Sequence, residues 1–287
     1  MLASSDWRPV EPDLETILGN FSDPLRELSQ AEIPAIIFRQ IYNPAQFPDF
    51  IDRLTNMGLM RPYSSNEELP SQSNENQQDR RTRIDIGTSL GNLGNNKELF
   101  FQHAATTHFL FKFLFEGFSN PIDIIYGALS DLAVDKQVEV AREPNGQLYG
   151  PAIFRIHYTS HAYKPHIDHV TLRENRTNYA VHRFKHQFAG VLCVQNADST
   201  ENSTQAILHH CLWTPKIQPH ITNDTFHDYA TENQIERCQI DLEPGDLYFF
   251  NTRCIHEVPA VEGNVPRIVL AVFIGYSEDD DKIYVWS

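Results

Sequence analysis

Cysteine is scarce in this 287-residue chain, and basic residues are outnumbered. The four cysteines, Cys193, Cys211, Cys238 and Cys254, are widely spaced and form no Cys-x-x-Cys pair. That argues against a structural zinc site or a disulfide framework and for reduced thiols. Lys and Arg number 23 against 38 Asp and Glu, a formal net charge of −15. Such a chain repels a phosphate backbone or an anionic bilayer unless a local basic patch overrides the average, so neither nucleic acid nor a membrane is expected as a partner. No run approaches the roughly 18 apolar residues of a membrane span, and Met1 to Pro9 carry Asp6 and Arg8 without the apolar stretch of a secretion signal. A soluble, cytoplasmic protein is the expectation. Internal repeats are absent too.

What is present is ordinary globular composition, 41% apolar and 21% charged, enough to bury a core. The length would suit two domains of ~150 residues or one larger β-rich domain; a single domain over 1–287 is expected, with a mainly helical part over 1–135 and strands over 136–287. In the first part Asp23-Pro24 opens a short helix, Asp as N-cap and Pro in the first turn. Residues Ile33 to Ile41 read as a strand and Ala45 to Met60 as a helix. Arg61 to Asp85 is polar and rich in Ser, Asn, Gln and Glu, the composition of a loop or flap. Leu99 to Phe118 contains seven phenylalanines at helix-compatible spacing and reads as a core helix packed on a sheet.

Beyond residue 136 short apolar segments alternate with turns: Val138 to Ala141, Ala152 to Tyr158, Phe188 to Val194, Ala206 to Trp213, Ile235 to Leu242, Leu247 to Asn251 and Ile268 to Tyr276, with Asn145-Gly146 and Pro244-Gly245-Asp246 as turns. This is the spacing of an antiparallel sandwich or barrel rather than of parallel β/α units. Eleven of the thirteen histidines follow residue 156, which makes this half the place to look for a metal. His-x-Asp occurs once, at His166-Ile167-Asp168. Chance alone supplies about one such tripeptide at this composition, so its weight comes from context. On a strand, i and i+2 face the same way, so His166 and Asp168 can offer an imidazole and a carboxylate to one ion. His256, after the apolar strand Leu247 to Phe250, is the third candidate. Two His and one carboxylate with open positions form the facial triad of non-haem Fe(II) oxygenases, whereas zinc more often takes three His or recruits Cys. Arg267 opens an otherwise apolar strand, where a guanidinium is costly unless a carboxylate meets it; that carboxylate can belong to a bound dicarboxylic acid.

Taken together, Tyr163-Lys-Pro-His166-Ile-Asp168, Pro244-Gly-Asp-Leu-Tyr-Phe-Phe250, His256 and Arg267 resemble the Fe(II)/2-oxoglutarate-dependent dioxygenase superfamily over roughly residues 138–287. The resemblance implies an α+β fold with a double-stranded β-helix (jelly-roll or cupin-like) core and N-terminal helices packed against the sheet. It implies Fe(II) held by His166, Asp168 and His256, 2-oxoglutarate as co-substrate with Arg267 on its distal carboxylate, and O2 as oxidant. Tyr158 is a weaker candidate for contact with the co-substrate, in competition with His157 and Tyr163. Within the superfamily, Gly146-Gln-Leu-Tyr149 and the closing Asp281-Lys-Ile-Tyr-Val-Trp-Ser287 look like the freestanding halogenases of indole-alkaloid pathways and their hydroxylating relatives. Those halogenases carry glycine where this sequence has Asp168, which leaves a site for chloride. A carboxylate there implies hydroxylation of a freestanding small molecule, an amino acid derivative or specialised metabolite.

Two other readings stay open at this level: hydroxylation of a peptide or protein side chain, and a β-barrel that binds a metal or ligand without turnover. The segment Val170 to Gln187, with Arg173, Arg176, Arg183 and Lys185, lies between Asp168 and the next strand. It is read as a lid over the metal whose basic residues attract an anionic substrate, or else as a solvated charged loop. His157, His161, His169, His182, His186, His209 and His210 exceed what a three-ligand site needs, and His209 and His210 cannot both face inward from one strand.

Overall fold

A computed structural model describes residues 7–11, 14–63, 82–158, 160–197 and 204–287. In chain order its helices are α1 (Leu14–Asn20), α2 (Pro24–Ser29), α3 (Phe47–Asn56), α4 (Leu90–Leu93), α5 (Lys97–Leu114), α6 (Pro121–Leu132), α7 (Gln218–Thr222) and α8 (Phe226–Glu232). Local chemistry sets their starts. Asp23 accepts from the Arg26 amide ahead of Pro24, and Asn120 accepts from the Ile122 amide ahead of Pro121. In each case the side chain satisfies a donor that the first turn leaves free, and proline occupies a position where its missing N–H costs nothing.

The strands are β1 (Ala35–Phe38), β2 (Arg83–Gly87), β3 (Gln137–Val140), β4 (Ile153–His157), β5 (Tyr163–His166), β6 (His186–Gln195), β7 (Thr204–Leu212), β8 (Arg237–Asp241), β9 (Leu247–Asn251), β10 (Cys254–Val258), β11 (Arg267–Tyr276) and β12 (Lys282–Trp286). They form two sheets. The larger runs β1-β9-β6-β11-β12-β3, and β4 pairs with the first half of β11 and carries β2 on its other side. The smaller runs β5-β10-β7-β8. Among the described strands every pairing is antiparallel except β12 with β3.

The two-residue alternation of strands explains why the larger sheet serves two layers. Phe249, Leu270, Val272 and Ile274 point to one side and pack with α2, α3, α5 and α6 through Leu28, Phe50, Phe111 and Ile125. Tyr248, Phe250, Ala189 and Cys193 point to the other and meet Ala206, Leu208 and Ile240 of the smaller sheet. Burying one such Leu, Ile or Phe contributes about 1.5–3 kcal/mol, so the helical layer makes a stiff backing for whatever lies between the sheets. Pro244-Gly245-Asp246 delivers β9 to this interface. Gly245 sits at φ +99° with the Tyr42 carbonyl where a Cβ would stand, and the buried Asp246 carboxylate accepts from the Gln40 and Glu243 amides and pairs with Arg39.

Two expectations need correction. The mainly helical stretch 1–135 also supplies β1, within the strand expected over Ile33 to Ile41, and β2, both of which join the larger sheet. The polar stretch 61–85 ends in β2, whose Ile86 is buried against the sheet, while residues 64–81 lie outside the described residues. Not all phenylalanines of α5 are core: Phe100, Phe101 and Phe111 are buried, but Phe109 and Phe113 are 66% and 49% exposed on the opposite face, packed edge to face on one another. Among the described residues no helix is long and apolar enough to cross a membrane.

Candidate metal centre

Strand β10 lies between β5 and β7, and His256 stands directly opposite His166 in the β10–β5 register. Register shifts flank His256 on both sides, against β7 before it and β5 after it; such bulges re-aim a side chain out of the regular pleat. Asp168 follows β5, its amide held by the Thr252 carbonyl at 3.1 Å. Ile167 points the other way into a small apolar cluster with Ile255. Sequence neighbours on two strands therefore alternate between structural packing and one shared site.

In that site the His166 and His256 Nε2 atoms lie 3.7 and 3.6 Å from Asp168 Oδ2, and the two rings are 4.2 Å apart. The other nitrogen of each ring faces a backbone carbonyl: His166 Nδ1 at 2.7 Å from Lys164 O, His256 Nδ1 at 2.9 Å from Cys254 O. A carbonyl only accepts, so each Nδ1 carries the proton and each Nε2 presents a lone pair. Burial, then the neighbouring His166, pushes His256 toward the neutral form. Three electron-pair donors thus converge at separations too long for hydrogen bonds. They repel one another unless a cation sits among them, which is the donor set and the carbonyl-oriented tautomer that a metal site requires.

The second Asp168 oxygen is taken. Arg173 donates to Asp168 Oδ1 and, at 2.8 Å, to the Ile167 carbonyl, leaving Oδ2 as the oxygen that faces the imidazoles. Arg173 was expected to attract substrate and instead orients a ligand candidate. The other basic residues of 170–187 are also internally paired, Arg176 with Glu174, Arg183 with Asp280 and Lys185 with Asp279. Val170, Tyr179, Val181 and Phe184 bury this segment in a core cluster of their own, so it is packed rather than free to close, and only Arg173 and Glu174 reach the cavity.

A cavity of about 350 Å³ opens between the sheets and is shared by His166, Asp168, His256 and Arg267. Arg267 is 4% exposed and no carboxylate among the described residues pairs with it. Its Nε and Nη2 reach His157 Nδ1 at 3.3 and 3.0 Å, and burial lowers its pKa to about 10. A guanidinium cannot easily shed its charge, so this position asks for an anion from outside the chain. By accepting from Arg267, His157 is fixed with its proton on Nε2, a buried donor with no partner. Burial, then the Arg267 charge, holds that imidazole well below its usual range and therefore neutral.

His157 and Tyr163 line the cavity; Tyr158 does not. Its hydroxyl accepts from the Arg61 amide at 3.0 Å and its ring carries the Arg61 guanidinium. Strand alternation explains the exclusion, since His157 already takes the cavity face of β4. Tyr163 reaches Arg83, which donates to its hydroxyl at 2.5 Å.

Most surplus histidines have structural partners. His169 caps its own turn by accepting from Thr171 and Leu172 amides, His186 meets Glu278 and exposed His210 stacks on Trp7. His209, 2% exposed, and His227 flank Glu257 at 3.1 and 3.3 Å. Arg83, Arg155 and Glu174 also line the cavity and were not singled out from the sequence. The two arginines alternate with apolar residues on ordinary strands, and only the pairing of β2 with β4 brings them to the site.

Residues 10–287 match the family described as carrier-protein-independent halogenase WelO5. Among curated proteins no sequence matches. In structure the chain is similar to an N-substituted L-amino acid dioxygenase from Burkholderia ambifaria AMMD, at a TM-score of 0.55 and 14% identity over 92% of this chain and 90% of that one. A dioxygenase of the same description and source in complex with alpha-KG gives 0.53 at 15% identity, covering 93% and 91%. At such identities the likeness is one of fold.

Proposed function

The chain belongs to the carrier-protein-independent halogenase WelO5 family, and from that premise we propose that it is an Fe(II)- and 2-oxoglutarate-dependent oxygenase that hydroxylates a C–H bond of a freestanding small molecule. The two sheets are read as the halves of a double-stranded β-helix within one domain, with helices backing the larger sheet. The observation that carries the choice of reaction is Asp168. The family's halogenases resemble this sequence but hold glycine there, whereas here a carboxylate oxygen lies 3.6 to 3.7 Å from both imidazoles and occupies the place that chloride would need.

When bound with 2-oxoglutarate and O2, the iron supplies the oxidising power: one oxygen atom ends in succinate as CO2 leaves, and the other in the new hydroxyl group. The chain's residues do the rest. His166 and His256 would hold the metal through Nε2, with Lys164 and Cys254 carbonyls fixing their tautomers. Asp168 would add Oδ2 as the third protein ligand, with Arg173 holding the other oxygen. Arg267 pairs with the distal carboxylate of 2-oxoglutarate, which relieves a buried charge and sets the direction in which the co-substrate lies. His157 and Tyr163 replace Tyr158 as the polar groups nearest that end. Val191, Val269, Ala271 and Phe250 keep the remaining wall apolar and exclude water from the target bond.

Incubation of the purified protein with Fe(II), ascorbate and 2-oxoglutarate against a metabolite panel tests this. Succinate release with a product heavier by one oxygen is the expected result. Iron binding without succinate from any candidate would favour a non-catalytic binding protein, and a chlorinated product in the presence of chloride would overturn the reading of Asp168.

A further inference from the structure

Arg155 stands two residues before His157 on β4, so both side chains leave the strand on the cavity face, and both line the cavity. It differs from Arg83 and Arg173, which line the same cavity. Arg83 is paired with Asp85 at 2.7 Å and Arg173 with Asp168. Arg155 meets no carboxylate among the described residues; its guanidinium lies over the Phe273 ring, 5.8 Å from the centroid, and its Nε is buried without a hydrogen-bond partner. A half-buried guanidinium with an idle donor and an aromatic ring for a floor is a site prepared for a planar anion.

The charge balance of the cavity says which anion. With Arg83 paired to Asp85 and Glu174 to Arg176, ferrous iron, Arg267, Arg173 and Arg155 bring five positive charges, and Asp168 with the two carboxylates of 2-oxoglutarate brings three negative ones. The keto-acid end of the co-substrate is neutralised at the metal and its distal end at Arg267; of the two cations in surplus Arg173 spends its donors on Asp168 and the Ile167 carbonyl, so Arg155 is left over. We infer that Arg155 anchors a carboxylate of the substrate itself, which makes the substrate a small carboxylic acid whose apolar part lies along Ala271 and Phe273. The inference rests on the oxygenase reading and narrows its substrate class.

The test titrates the anaerobic protein, loaded with Fe(II) and 2-oxoglutarate, with N-acetyl-L-leucine and N-acetyl-L-phenylalanine, each beside its neutral carboxamide. Perturbation of the iron-to-keto-acid charge-transfer band reads binding. Each acid is expected to bind ~10–100-fold more tightly than its amide, the range of a hydrogen bond to a charged group. Arg155→Gln removes that difference while iron and 2-oxoglutarate titrate as before, which also shows that the variant is folded, and Arg155→Lys restores part of it. If no acid outbinds its amide, the proposal is overturned. It is also overturned if Arg155→Gln weakens 2-oxoglutarate and leaves the acid–amide difference intact, since Arg155 would then serve the co-substrate. A protein that takes up neither iron nor 2-oxoglutarate refutes the oxygenase reading first, a result visible before any probe is added.

Discussion

Two groups of two histidines and one carboxylate lie on opposite faces of the same small sheet, separated by a single step along β10 from His256 to Glu257. They have the same composition and opposite geometry. In His209, His227 and Glu257 the imidazole nitrogens sit 3.1 and 3.3 Å from the carboxylate oxygens, so the carboxylate accepts from His209 Nε2 and the imidazoles turn toward it, leaving His209 Nδ1 buried without a partner. In His166, Asp168 and His256 the separations are 3.6 and 3.7 Å, and both imidazoles have already given their protons to backbone carbonyls. The first group is a hydrogen-bonded cluster under α8, and the second is a set of lone pairs facing a cavity. Ligand chemistry thus depends less on which residues gather than on where each imidazole spends its N–H.

The sharpest way to break this comparison is to delete one imidazole from each group. Removal of His166 or His256 by alanine is expected to weaken iron binding by at least ~100-fold, beyond the 10–100-fold typical of outer-shell changes, and to abolish turnover. His209→Ala should still take up one iron per chain and lose only stability, about 1–3 kcal/mol, because it leaves Glu257 short of a partner. Metal analysis after desalting, together with a denaturant melt, distinguishes the outcomes. Equal iron loss in both variants would erase the distinction between the clusters.

Asp168→Gly sharpens it from the carboxylate side. Both imidazoles and their carbonyl anchors remain, so iron is retained with reduced affinity, while hydroxylation is expected to fall by at least ~100-fold as the position opens to exogenous anions. Product mass spectra with and without halide provide the readout. Unchanged hydroxylation would show that Oδ2 is not a ligand.

Arg267→Met is the next smaller step, because it removes the proposed partner of one end of the co-substrate and leaves the proposed metal ligands alone. The dissociation constant for 2-oxoglutarate should rise ~10–100-fold, with iron affinity unchanged. A chemical check comes from 2-oxo acids that lack the distal carboxylate: the variant should lose its preference for 2-oxoglutarate over them. A preference that survives would assign the distal carboxylate to another residue.

The same contrast explains what could be read from the sequence. The convergence of His166, Asp168 and His256 was legible because strand period places i and i+2 on one face and turn chemistry brings a second strand beside them. Arg267 was legible because a guanidinium heading an apolar strand needs a reason. Tyr158 was misplaced by one position, which on a strand means the opposite face. The basic stretch 170–187 looked like a lid because composition shows charge but not pairing; only the structure shows Arg176 on Glu174 and Arg183 on Asp280. Arg155 and the contribution of β1 and β2 to the larger sheet depend on long-range register, which no local pattern encodes. For α5 the helical period was visible but its phase was not, so the exposed pair Phe109 and Phe113 passed for core.

The smallest expected effect concerns pH and belongs to the cluster around Glu257. Burial would raise the Glu257 carboxyl, but the His209 hydrogen bond and the His227 charge outweigh it and leave it below the ordinary 4.5. A carboxylate whose folded pKa is depressed binds fewer protons than the unfolded chain, so its stabilisation is complete above about pH 4.5 and is lost as the pH falls through the folded value. Glu257→Gln should therefore cost about 1 kcal/mol near neutrality and should converge with the parent protein in acid. Urea melts at a series of pH values between neutral and acid provide the measurement. A variant that stays equally destabilised at every pH would show that Glu257 acts by packing rather than by charge, and the opposition drawn between the two clusters would then rest on geometry alone.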